Sequence, residues 1–69
     1  MKFYPKDKDF WNNLGWVYIT TEQYEKAIGA YEKTVYLDPE FGPGRENLAI
    51  SVRKAGKKSH PLLEIDNRL

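Results

Sequence analysis

A chain of 69 residues, 41% hydrophobic, 14% aromatic and 30% charged, has room for one small domain and is too apolar for disorder throughout. Chains of this size bury only about 60% of the surface exposed on unfolding and usually need a disulfide, a metal or a partner. Cysteine is absent, His60 is the single histidine and the net charge is +1, which excludes disulfides and thiolate metal sites, leaves no cofactor expected, and argues against bulk-charge binding of polyanions.

The opening "MKFYPKDKDF" lacks the apolar core of a signal peptide, and no apolar run approaches the roughly 20 residues that span a bilayer. The cytoplasm is therefore the expected compartment, with no membrane partner. Trp11, Leu14, Gly15 and Tyr18 follow at helical spacing, so they share one face of a first helix, and Asp7 or Asp9 can cap its start. In "TTEQ", Thr20 and Gln23 fit a capping box, placing a helix boundary there. Tyr24, Ala27, Ile28, Tyr31 and Val35 form the apolar stripe of a second helix, with Glu22 and Lys26 spaced as a favourable ion pair on its wet side.

"LDPEFGPG" ends that helix, because the residue before Pro39 is pushed out of helical geometry. A third helix opens near Pro43, carries Leu48, Ala49, Val52 and Ala55 on one face, and runs to about Gly56. The remainder is ambiguous: Pro61 interrupts it, and Leu62, Leu63, Ile65 and Leu69 can form one short amphipathic turn. Short connections make neighbouring helices antiparallel, so the expected architecture is all-α, three helices and a tail.

Sliding the chain by 34 residues superposes Pro5 on Pro39, Asn13 on Asn47 and Leu14 on Leu48, with Gly15 on Ala49, Tyr18 on Val52 and Phe3 on Leu37 similar in kind. Trp11, Leu14, Gly15, Tyr18, Ala27, Tyr31 and Pro39 match the pattern W-x2-L-G-x2-Y…A-x3-F…P except for Tyr in place of Phe. On these residues, with Tyr24 and the closing "LDP", the chain resembles the tetratricopeptide-repeat family. The resemblance implies a lead-in over 1–7, one repeat over 8–41, a capping-type helix over 42–58 and a tail over 59–69. Gly15 and Ala27 are the small residues that let the two helices approach; Trp11, Leu14, Tyr18, Tyr24 and Tyr31 surround their crossing. Arg45 occupies the third helix's counterpart of Trp11, and Lys58 and Pro61 stand where Tyr24 and Ala27 would recur, so the second repeat is incomplete. Such arrays generally need three or more repeats. One and a half leaves three possibilities: a folded-back tail, assembly of copies, or excision from a longer array, of which "FYP" at the start would be a remnant.

Nothing points to catalysis: there is no nucleophile with a local base, and "GPG" lacks the lysine of a phosphate loop. Asp7 with Asp9 and Glu22 with Glu25 read as helix-start charges. The family resemblance implies recognition instead, of a protein or peptide partner along the first helices of successive pairs. That surface comprises Asp9, Asn12, Asn13, Trp16, Ile19 and Thr20, with Asn47, Ile50, Arg53 and Lys54 from the third helix. The subclass that clamps C-terminal carboxylates has a lysine where Asn12 stands and an asparagine where Trp16 stands, so this chain departs from it; Asn13 and Asn47 match a further asparagine slot.

Trp16 lies about 140° around the helix from Trp11 and forms an apolar patch with Ile19 and Ile50. The tail's Leu62, Leu63 and Ile65, a partner peptide or a second copy are the candidate covers, and the shortage of repeats favours a homo-oligomer. "RKAGKK", Arg53–Lys58, suits a helix C-terminus electrostatically. No aromatic residue interleaves with Lys54, Lys57 and Lys58, which disfavours nucleic-acid stacking. Gly29 within the second helix is either a tolerated weakness or a point of close approach.

Overall fold

Asp7 begins the first helix: its carboxylate accepts the N–H of Asp9 at 2.9 Å, satisfying one of the free donors of the first turn. The computed structural model describes residues 6–64, so the expectations placed on Phe3, Pro5, Ile65 and Leu69 lie outside the described residues. Within them the chain is all-α, with α1 at Lys8–Thr20, α2 at Tyr24–Leu37, α3 at Gly42–Lys54 and a short α4 at Pro61–Glu64. α2 packs between α1 and α3, each antiparallel to it, as short connections require.

The turn after α1 is not a capping box. Thr20 and Thr21 direct their hydroxyls back to the carbonyl of Val17, each at 2.9 Å, while the side-chain amide of Gln23 donates to Thr21 Oγ1. The reversal is instead a Schellman turn: Gln23 N–H reaches Tyr18 O at 2.8 Å, Glu22 N–H reaches Ile19 O at 3.0 Å, and Glu22 has φ 63. Glu22 thus precedes α2, and its expected helical pairing with Lys26 does not apply. The turn recurs 34 residues later, where Lys57 N–H reaches Val52 O, Gly56 N–H reaches Arg53 O, both at 3.0 Å, and Gly56 has φ 84.

The core comprises Ile19, Ala27, Ile28, Tyr31, Val35, Leu48 and Val52, with Tyr18, Ile50, Ala55, Leu62 and Leu63 packed against it. Of the residues expected at the helix crossing, Gly15, Ala27 and Tyr31 are buried; Trp11, Leu14, Tyr18 and Tyr24 are partly buried; Pro39 is exposed. A Cβ on Gly15 would stand 2.6 Å from the Tyr31 ring, so only glycine admits this approach. α2 and α3 meet through a second glycine, Gly44, where an added Cβ would lie 2.7 Å from Thr34 Cγ2. Thr34 and Ser51 are fully buried, and each satisfies its hydroxyl on its own helix, donating to Ala30 O at 3.2 Å and Asn47 O at 3.0 Å. Gly29 faces open space, with nothing within 4 Å of an added Cβ.

The described part of the tail packs on α2 and α3. His60 Nε2 pairs with Glu32 Oε2 at 2.5 Å, Leu62 N–H donates to His60 Nδ1 at 3.1 Å, and Arg45 Nη2 donates to Leu62 O at 3.0 Å. Arg45 therefore uses the position equivalent to Trp11 to hold the tail.

Gly15 and Gly29 predict opposite outcomes in chemical denaturation. Gly15→Ala overpacks against Tyr31 and costs about 1–3 kcal/mol, whereas Gly29→Ala stabilises by up to about 1 kcal/mol. Tyr31 supplies a second contrast, because its buried hydroxyl has no hydrogen-bond partner and burial raises its pKa above 10.0. Tyr31→Phe removes the unpaired group and is expected to be neutral or stabilising by up to about 2 kcal/mol. Because ionisation is harder in the folded than in the unfolded state, the parent loses stability as pH rises above the unfolded value. Melting curves at alkaline pH should show a steeper decline for the parent than for Tyr31→Phe.

Candidate partner-binding face

α1 and α3 stand side by side across one edge of α2, and one hydrogen bond joins them directly: Asn47 Nδ2 donates to Asn12 Oδ1 at 3.1 Å, both residues half-buried. Each amide keeps a further donor or acceptor free of this bond. Trp16, one turn beyond Asn12 on α1, is 55% exposed. Asn13, Asp9 and Thr20 are exposed on the same helix, and Arg53 and Lys54 are exposed near the end of α3. These residues provide one aromatic surface, several amides and flanking charges. Among the described residues, no group of acidic, histidine or cysteine side chains is placed to hold a metal ion.

The expected site is brought together only in part. Ile19 is a correction: it is 9% exposed and belongs to the core, since the crossing of α1 and α2 turns it inward with Gly15. Ile50 is half-buried against the same core. The anticipated patch of Trp16, Ile19 and Ile50 therefore reduces largely to the indole. Leu62 and Leu63 do not cover it; they pack on the core beside α2 and α3, where Arg45 and His60 fix the chain between them.

Two cations of the basic run make contacts to the start of α2. Lys54 Nζ lies 6.0 Å from the centre of the Tyr24 ring, and Lys57 Nζ is 3.3 Å from Glu25 Oε2. Both contacts bind the end of α3 to the start of α2, and Arg53 and Lys54 also oppose the negative end of the α3 dipole.

The internal period and the small-residue helix crossing find their counterpart in comparison with known proteins. The model of the tetratricopeptide repeat matches residues 9–41. The chain contains a tetratricopeptide repeat. It is 42% identical over 52 residues, 75% of its length, to a peroxisomal targeting signal receptor of Kluyveromyces lactis, and covers 9% of that protein. It is 38% identical over 56 residues to the receptor of the same name from Candida glabrata, a match covering 81% of this chain and 10% of the relative. Tetratricopeptide repeat protein 17 of Danio rerio is 53% identical over 32 residues, which is 46% of this chain and 3% of that protein. The chain thus spans about a tenth or less of these relatives. No solved structure matches it. No helix among the described residues is long and apolar enough to cross a membrane.

Three features of the repeat had no clear sequence signal: the Asn12–Asn47 bond, the Gly44–Thr34 contact and the attachment of the tail through Arg45, His60 and Glu32. Of these, the tail attachment tests most cleanly. In His60→Ala, amide exchange at Leu62 and Leu63 should accelerate while the protected amides of α1 and α2 keep their rates, as read by NMR; unchanged exchange at Leu62 and Leu63 would refute the attachment.

Proposed function

We propose that this chain is a non-catalytic recognition module that binds an extended peptide across α1 and α3, with Trp16 as its apolar anchor. The observation that carries the reading is the exposure of Trp16 beside the Asn12–Asn47 bond, which ties the two helices into one surface. A tryptophan more than half in water has little to contribute to the fold, and such residues dominate binding energy when a partner covers them. Amide side chains on either side suit the alternating donors and acceptors of an extended backbone. Asp9, Asn13, Thr20, Arg53 and Lys54 would read the flanking residues of the peptide.

The relatives' description as receptors for a peroxisomal targeting signal supports a peptide as partner. It also makes a peptide carrying such a signal the first probe to use. Residues 42–58 act in this reading as the capping helix, and a cytoplasmic setting agrees with the use. Association of copies around Trp16, the other use of the indole, has less apolar area to rely on because Ile19 is internal. Binding of nucleic acid is disfavoured because no aromatic residue interleaves with Lys54, Lys57 and Lys58.

Titration of the protein with a targeting-signal peptide, and then with a random peptide library, should shift the fluorescence of Trp16. Trp16→Ala should abolish retention of the selected peptides while moving the thermal midpoint little. A library that yields no ligand for the parent, or ligands that Trp16→Ala retains, would sink the proposal.

A further inference from the structure

His60 holds the tail through both ring nitrogens, and the two contacts specify where its protons sit. The Leu62 backbone N–H donates to Nδ1 at 3.1 Å, so this nitrogen offers a lone pair and carries no proton. Nε2, 2.5 Å from Glu32 Oε2, then carries the proton and donates it to the carboxylate. Only the neutral Nε2–H tautomer satisfies both contacts. Because Nδ1 accepts from the second residue of α4, His60 is the N-cap of that helix.

A second proton changes the two contacts in opposite directions. It enters at Nδ1, where it meets the Leu62 N–H donor to donor, and the cap is lost. The imidazolium keeps its Nε2–H on Glu32 and now carries a charge there, so the attachment to α2 persists. No other group replaces the lost acceptor. Arg45 reaches Leu62 from α3 as a cation, its Nη2 3.0 Å from the carbonyl oxygen. In the segment before the ring, Lys57 is paired with Glu25 and Lys58 is exposed. We propose that His60 is a proton-operated cap: protonation at Nδ1 frays α4 and lifts Leu62 and Leu63 from the core, while the His60–Glu32 pair keeps the chain tethered. Histidine ordinarily changes charge between roughly pH 5 and 8, so mild acid operates the device. Leu62 and Leu63 are only partly buried, so their release leaves the packing of α1, α2 and α3 in place.

NMR on the full chain tests the idea. Nitrogen-15 spectra of the ring read its tautomer and its titration, and heteronuclear NOE values at Leu62 and Leu63 read the order of α4. At about pH 8 the ring should carry its proton on Nε2, with both leucine amides ordered. On acidification to about pH 5, both NOE values should fall to those of a loose chain end, in step with the ring's own titration. Amides of α1, α2 and α3 should keep theirs. His60→Asn retains an acceptor suited to an N-cap but cannot titrate, so its Leu62 and Leu63 should stay ordered over the same range. A proton on Nδ1 at the alkaline end, an α4 still ordered once the ring is fully protonated, or the same acid loosening in His60→Asn would each overturn the proposal.

Discussion

The contact between Gly15 and the Tyr31 ring governs the rest of the structure. The ring lies where any side chain on residue 15 would be, so the backbone of α1 packs directly on it. This closeness decides which faces of α1 remain available. Residues flanking Gly15 on the inner side, including Ile19, become core, and everything beyond about a third of the circumference is left to water or to partners. Gly44 against Thr34 repeats the device between α2 and α3. α2 is thereby gripped from two directions, and on its long buried face Thr34 finds its hydrogen bond on its own helix while the Tyr31 hydroxyl finds none.

α1 carries three surfaces on thirteen residues. One is internal, one carries Trp16 and the asparagines, and one carries the exposed Phe10 and Val17. A small chain separates such tasks by angle around a helix because it has no second layer in which to place them. The Asn12–Asn47 bond matters here, since it joins α1 and α3 by a side-chain contact rather than by core packing alone.

Much of this was legible in the sequence because the repeat motif is itself a packing code: Gly15, Ala27 and Tyr31 stand at the crossing for reasons of size that any reader of the spacing recovers. Helix ends were legible where they depended on one residue, as with Asp7 and Gly56. They were less so where several residues competed. Thr20 and Gln23 satisfy the letters of a capping box, yet both threonines bond backward into α1, and the turn is made by Glu22, a residue with no local preference for that conformation. Ile19 was misplaced for a related reason. Periodicity gives the direction of a side chain to within a turn, but the width of the buried arc depends on how closely the neighbouring helix approaches. The tail was opaque because its anchors, Arg45, Glu32 and His60, come from three separate parts of the chain.

Glu22 has a further consequence. At the equivalent reversal the chain has Gly56, which enters the left-handed region freely; at the first it has a residue that must be held there. Glu22 therefore carries a conformational cost that Gly56 does not, and the hydrogen bonds of the turn together with the packing of Tyr31 on Gly15 hold it there. The two reversals of the chain thus share one geometry at different conformational cost, and a glycine at residue 22 would relieve that cost without touching the helix crossing.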